Sequence, residues 1–226
     1  CFEKTLSIIK SLRSFDHKSY ILLRATINKL NLSEVEGIIK MAKELNINEV
    51  GMRSMVVSRG SSVENQKISL SRNQYSKLLR KIPELQSKYK IRIYSGDPLQ
   101  NLFDSKFIKF IWNKLVNGIC AGCLVGISYI YINNQGLFSF CPMLNDFKIG
   151  NLLEKDAKEL WLNDSTLNRL RSLDYSKDSE CLKCEFNNLC GGCRARALFE
   201  NNNLLGQDPM FNQSLRKEIK LLWEGK

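Results

Sequence analysis

The chain has a single histidine, 4 prolines and 13 glycines in 226 residues. So little glycine and proline excludes collagen-like and low-complexity chains, and a hydrophobic content of 43% excludes intrinsic disorder. No apolar run reaches the roughly 18–20 residues that a helix needs to cross a bilayer, because Lys, Arg or Asn interrupts the longest candidates. The first residues, Cys1-Phe2-Glu3-Lys4, lack the basic, apolar and small-residue regions of a secretory signal. The expectation is a soluble, cytoplasmic protein of one large or two small domains, long enough to bury roughly 70% of its unfolded surface. No internal repeat, helix-turn-helix or RNA-binding signature is present. The 34 Lys+Arg exceed the 23 Asp+Glu mostly through residues 1–100, but they are spread along the chain rather than gathered in one stripe. Neither nucleic acid nor a membrane is therefore an expected partner. His17, after Asp16 in a polar loop, reads as exposed and without a special task.

Cysteine is what the chain does have, and it is unevenly placed. Seven of the 8 cysteines lie between positions 120 and 193, and only Cys1 stands apart. Clustered cysteines in a small secreted domain would indicate disulfides. With a core, no signal and close pairs, metal or cluster ligation in a reducing compartment is the stronger reading. Cys120-Ala-Gly-Cys123 and Cys181-Leu-Lys-Cys184 have the two-residue gap of a metal knuckle, as has Cys190-Gly-Gly-Cys193. Small residues inside the first pair leave room for the backbone to curl around a centre, and Cys141 follows a turn at Gly136. By spacing alone, four thiolates hold one zinc ion or one iron–sulfur cluster equally well.

Three helix-then-strand units fill the first 95 residues. Phe2, Leu6, Ile9 and Leu12 keep one helical face apolar ahead of a strand over 20–27. Ser33 to Glu36 reads as a capping box opening a second helix with Val35, Ile38, Ile39, Ala42 and Leu45 inward, followed by a strand over 49–57. The third unit runs from Ser71 through Leu85 to a strand over 91–94. Such alternation predicts parallel strands with helical crossovers. Helices returning on one side of three strands leave the other face bare, so the sheet reads as half of a larger structure. Beyond Gly96-Asp97-Pro98 the pattern predicts a helix over 103–116, then a hairpin with strands over 127–132 and 137–140 around Asn133 to Gly136. Short helices near 157–162 and 167–173, an irregular Cys181 to Cys193, and a last helix over 214–223 complete the reading. Trp112, Trp161 and Trp223 are expected to pack in cores.

At the cysteines the chain resembles the SPASM domain, the auxiliary iron–sulfur module of radical S-adenosylmethionine enzymes. The resemblance rests on Cys123-x12-Gly136-x4-Cys141 and Cys181-x2-Cys184-x5-Cys190. Gly150-Asn151-Leu152, Leu160-Trp161, Leu170-Arg171 and Cys190 to Ala197 add to it, and it covers about residues 118–211. Upstream, Arg24 to Asn28, Arg53 and Arg59-Gly60-Ser61 are similar to later strands of the radical enzyme's partial barrel. The implied fold is α/β: a partial parallel (β/α) barrel over 1–99, a linking helix over 100–117, a SPASM-like domain with a hairpin and short helices over 118–211, and a C-terminal helix over 212–226.

The resemblance also implies ligands. Cys120, Cys123, Cys141 and Cys193 would hold a first [4Fe-4S] cluster, and Cys181, Cys184 and Cys190 a second. The family's fourth ligand to the second falls near Phe211, where no cysteine stands, so Asp208 becomes a candidate oxygen ligand; an open iron site or a cluster that does not assemble are the alternatives. Arg24, Arg53 and Arg59 lie on the S-adenosylmethionine side, and Arg194 and Arg196 could offset cluster charge. No C-x3-C-x2-C triplet occurs in the 226 residues, so the chain is not expected to cleave S-adenosylmethionine alone. It reads as a fragment, a split half-enzyme or a decayed copy, completed by the missing segment or a separate chain and served by a reductant protein. The implied activity is modification of a peptide or of a tetrapyrrole- or pterin-type cofactor, with the clusters carrying electrons or binding substrate. A zinc-binding, non-enzymatic interaction module is the alternative.

Overall fold

The structure, a computed structural model, describes residues 2–16, 18–103, 122–144, 147–172 and 180–224. It has two compact units, the first running to Met55 and taking in Leu70–Gly96, the second made of Val56–Ser69 and the described residues from Asp97 onward. Cys1, His17, Trp112, Cys120 and the helix expected over 103–116, apart from Phe103, lie outside the described residues.

In the first unit, strands β1 (Leu22–Ile27), β2 (Glu49–Ser54) and β3 (Arg92–Tyr94) form a parallel sheet in that order. Helices α1 (Phe2–Phe15), α2 (Val35–Glu44) and α4 (Arg72–Tyr89) belong to the same unit. The core forms where the alternation of β1 and β2 meets the helical periodicity: Ile27, Val50 and Met52 are buried with Val35, Ile39, Ala42, Tyr75, Leu78, Leu79, Ile82 and Leu85. Pairing of Arg24 with Gly51, Thr26 with Arg53 and Gly51 with Tyr94 sets Arg24, Thr26, Arg53 and Tyr94 on the opposite face. There Arg24, Thr26 and Tyr94 are exposed within a unit whose other face is buried. The face expected to be bare is thus exposed at these three residues, while Glu49 and Gly51 on it are buried and Arg53 is half-buried.

The capping box expected at Ser33 is not formed. A 3-10 turn occupies Leu32–Glu34, the residue before α2 makes no side-chain cap, and Glu36 is instead taken by Lys88 Nζ at 2.7 Å and the Tyr89 hydroxyl at 3.0 Å. The capping box lies at α4, between Ser71 and Gln74.

The second unit holds α3 (Val63–Ile68) and an antiparallel sheet of β4 (Tyr131–Ile132), β5 (Leu137–Ser139) and β6 (Lys148–Asn151). The hairpin strand begins later than expected because the N–H groups of Ile127, Ser128 and Tyr129 all turn back to the Leu124 carbonyl at 3.1 Å. Helices α5 (Ala157–Asn163) and α6 (Ser165–Arg171) are capped by Asp156 and Asp164. The Cys181–Cys193 segment, expected to be irregular, contains a 3-10 turn over Glu180–Lys183 and the short helix α7 (Asn187–Cys190). Helices α8 (Arg194–Asn201) and α9 (Gln213–Glu224) follow. The sequence reading did not contain α3, β6 or α8. Trp223 lies edge-on to Phe186, ring centroids 5.1 Å apart, and the Arg171 guanidinium stacks over Trp161 at 4.5 Å.

Candidate metal centre

The cysteines are placed by short, tightly turned segments of the second unit. Cys123 precedes the turn on Leu124. That turn is pinned by Arg171, whose Nε donates to the Gly126 carbonyl and Nη2 to the Trp161 carbonyl, each at 2.6 Å. Cys141 follows β5 and opens the 3-10 turn Pro142–Leu144. Cys193 is the last residue before α8. Cys141 and Cys193 are buried with Val125, Phe140, Leu144, Leu167, Leu170 and Leu198 in one cluster against which Cys123 packs. Three of the four cysteines assigned to the first site thus lie in or against one hydrophobic cluster, and the fourth, Cys120, lies outside the described residues.

Cys181 and Cys184 are half-buried, the N–H of Cys184 donating to the Cys181 carbonyl at 3.2 Å. Cys190, at the end of α7, is buried and absent from the cluster that contains Cys193. Between them Gly191 and Gly192 both have positive φ, 61° and 58°, a conformation open to glycine at little cost. At the other end of the site Gly122 lies on the Cys190 backbone. A Cβ at Gly122 would fall 1.5 Å from the Cys190 carbonyl oxygen, so the small residue expected inside the first pair is required by this contact.

None of the six described cysteines is in a disulfide. Burial, with the neighbouring Cys193 second, pushes the Cys123 thiol up to about 12, against the N–H groups of Val125 and Arg194 and the Arg194 charge. Burial also raises Cys184, opposed by the Phe186 N–H and by Arg216. The Gly192 N–H donates to Cys190 Sγ at 3.2 Å. Soft sulfur donors that are buried and receive backbone N–H groups fit an iron–sulfur cluster, whose sulfurs take hydrogen bonds of this kind. Among the described residues no three Cys, Asp, Glu or His side chains form a group able to hold a single metal ion.

The other expected site residues divide. Asp208, 1% exposed, is fully engaged: its carboxylate accepts the Cys193 N–H at 2.7 Å, the Met210 N–H at 3.0 Å, and Nε and Nη2 of Arg196. Arg196 also reaches Asp97 at 2.8 Å, so its charge is spent on two carboxylates rather than on a cluster. Arg194, by contrast, is buried, with Nη1 donating to the Leu204 and Gly206 carbonyls, and its charge acts on Cys123. Arg24 and Arg53 share the bare face of the first unit. Arg59 belongs to the second unit and hydrogen-bonds Asn202. Sequence reasoning missed the role of Asp97, 99 positions from Arg196, and no local pattern announces such a pairing.

Residues 120–185 match SPASM, described as an iron–sulfur cluster-binding domain. By sequence the chain is similar to the AdoMet-dependent heme synthase of Methanosarcina barkeri, 27% identical over 215 residues covering 92% of this chain and 60% of the relative. It is also similar to the AdoMet-dependent heme synthase of Oleidesulfovibrio alaskensis, 28% identical over 103 residues covering 46% of this chain and 26% of the relative. Streptococcus suis SuiB bound to S-adenosylmethionine superposes with a TM-score of 0.66 at 16% identity, over 92% of this chain and 48% of that one. Native anSMEcpe with bound AdoMet and Kp18Cys peptide gives 0.64 at 15% identity, over 99% and 60%. The chain thus spans 60% or less of the length of each of these proteins. The likenesses to SuiB and anSMEcpe show the fold, an α/β unit with a parallel sheet and a separate antiparallel sheet. The family matched over residues 120–185 is one described as binding iron–sulfur clusters.

Proposed function

We propose, from the premise that residues 120–185 are an iron–sulfur cluster-binding SPASM domain, that the chain is the auxiliary-cluster portion of a radical S-adenosylmethionine enzyme that modifies a tetrapyrrole. The similarity to a heme synthase along 92% of the chain carries this reading. The bare sheet face supports it. Among the described residues Arg24 and Arg53 make no ion pair, and the buried Nε of Arg53 has no hydrogen-bond acceptor. Carboxylate substituents on a tetrapyrrole suit such guanidinium groups. Arg59, already bonded to Asn202, has no part in this reading.

Cys120, Cys123, Cys141 and Cys193 would hold one [4Fe-4S] cluster, and Cys181, Cys184 and Cys190 a second. When bound, the clusters supply one-electron transfer or an iron atom for substrate to bind. The chain's own contribution is to bury the sulfurs, to aim the N–H groups of Val125, Arg194, Phe186 and Gly192 at them, and to exclude water with Phe140, Leu167 and Leu170. S-adenosylmethionine chemistry requires a C-x3-C-x2-C segment supplied from outside these residues, together with a reductant protein. A cytoplasmic setting suits the free thiols.

A peptide substrate is the second reading, favoured by the likeness to SuiB bound to its precursor peptide SuiA, with a TM-score of 0.66. The test is anaerobic reconstitution with iron, sulfide and zinc analysis, followed by titration with an iron tetrapyrrole carrying free carboxylates and with a peptide. Iron and sulfide in equal amounts with saturable tetrapyrrole binding are expected. Stoichiometric zinc without sulfide would end the cluster reading, and peptide binding alone would replace the tetrapyrrole.

A further inference from the structure

Arg196 and Asp208 lie 4% and 1% exposed in the second unit, and Asp97 is 2% exposed. Arg196 Nη1 meets Asp97 at 2.8 Å and Nη2 meets Asp208 at 2.7 Å. One carboxylate neutralises one guanidinium, and each further buried charge carries a desolvation cost of several kcal/mol. With Arg194 also buried, two arginines face two aspartates, and Asp208 does more than balance charge, as the other contacts of its carboxylate indicate. Besides Arg196 it receives the backbone N–H of Cys193 at 2.7 Å, where α8 begins with no side-chain cap from Cys193 itself. Its Cβ would lie 2.9 Å from a Cβ placed on Gly192, so the Gly191-Gly192 reversal packs directly on Asp208. The N–H of Gly192 in turn donates to Cys190 Sγ. Asp208 therefore touches the segment in which the chain passes from the second set of cysteines to the first.

We infer that Asp208 is a positioning residue for the cysteine ligands. Held by Arg196 and Asp97, it fixes the Gly192-Cys193 backbone and places a negative charge beside the first set of thiolates, lowering the reduction potential of the cluster they hold. The inference rests on Cys193 being a cluster ligand, and it locates the effect of Asp208 one bond network away from the iron. A fixed charge in a poorly solvated site acts on a redox centre more strongly than it would in water. Arg194, whose charge reaches Cys123 from the same turn, works in the opposite direction.

The test uses the anaerobically reconstituted chain, with iron and sulfide analysis and a potentiometric titration followed by electron paramagnetic resonance. Iron and sulfide in the wild type separately decide the cluster reading. Asp208→Asn keeps the side chain's shape and removes its charge, and its midpoint potential is expected to move to more positive values. Asp97→Asn removes a charge from the same network without touching the ligand segment. It is expected to retain its iron and show a smaller shift of the same sign, which keeps the inference testable if Asp208→Asn does not fold. Wild-type iron content with wild-type midpoints in both variants would overturn the proposed role.

Discussion

Replacing Gly122 by alanine places a methyl carbon 1.5 Å from the carbonyl oxygen of Cys190, 2.2 Å from its carbonyl carbon and 3.0 Å from its Cα. A carbon atom and a non-bonded carbonyl oxygen settle at about 3.3–3.6 Å even in their closest favourable contacts. The loop carrying Cys123 and the end of α7 must then separate by about 2 Å. The obstacle is backbone, so no side chain can swing aside. Overpacking of this kind costs about 1–3 kcal/mol, and the upper end is expected here. The consequence for the site is larger than the loss of stability, because ligand constellations tolerate displacements of only about 0.5 Å. Gly122 adjoins Cys123 of the proposed first set and rests on Cys190 of the proposed second, so both sets should lose iron. Gly60, where an added Cβ would meet no heavy atom within 4 Å and φ is not positive, is the control, and Gly60→Ala should stay within about 0.5 kcal/mol of wild type. Iron and sulfide content after anaerobic reconstitution, with urea unfolding followed by circular dichroism, reads both effects. A Gly122→Ala chain with the wild-type iron content, absorption spectrum and unfolding midpoint would refute the reasoning.

Serine replacements of Cys123, Cys141 and Cys193 should each remove the same spectral component, and those of Cys181, Cys184 and Cys190 the other; a Cys141 variant that kept all its iron would disprove the first assignment. Arg53→Gln should weaken binding of a carboxylate-bearing tetrapyrrole about tenfold or more, the equivalent of a charge-assisted hydrogen bond of about 1.5–3 kcal/mol, while leaving binding of its ester unchanged in an absorbance titration. Leu167→Ala empties a fully buried position and should cost about 2–5 kcal/mol in urea unfolding. Glu36 is held below the usual carboxylate range by Lys88 first and Tyr89 second. Its contribution is present above the unfolded-state value of about 4.5 and is lost as the pH falls through the lower folded value. The gap between wild type and Glu36→Gln in urea midpoint should therefore close on acidification below about 4.5.

The fold was legible where periodicity and burial coincide. The three strands of the first unit, α4 and α9 follow the apolar pattern of their own residues. Where a local signal competed with tertiary contacts it failed: Ser33 to Glu36 has the letters of a capping box, yet Glu36 is drawn to Lys88 and Tyr89, some 52 and 53 positions away. Helix α8 was missed because its residues Arg194 to Leu198 are buried together, arginines included, and so show no polar face. Arg196 is admitted to the interior by Asp208 and by Asp97, 99 positions away, and Arg194 by the Leu204 and Gly206 carbonyls.

The cysteine site shows the same limit at closer range. Two residues between cysteines normally indicate one knuckle gripping one centre, and the spacing of Cys190-Gly-Gly-Cys193 alone reads that way, although the family resemblance divides the pair between two clusters. In the structure Cys193 lies in the buried cluster with Cys141, against which Cys123 packs, while Cys190 is outside that cluster and has its sulfur turned to the Gly192 N–H. The difference is made by two consecutive positive-φ glycines, which reverse the chain within the gap, and by Asp208, which fastens its far side. Spacing reports how far apart two sulfurs can be; it does not report whether they face the same centre. The intervening dihedrals decide that, and two positive-φ glycines between Cys190 and Cys193 are compatible with the proposed division of these cysteines between two sets. Substituting alanine at Gly192 should therefore disturb the site through the backbone rather than through lost ligands: its Cβ would meet Arg194 Nη2 at 2.6 Å and Asp208 Cβ at 2.9 Å. All seven clustered cysteines would remain in such a variant. Loss of iron would then show that the turn, and not the number of thiols, governs assembly, whereas full iron loading with an unchanged spectrum would show that the spacing is sufficient by itself.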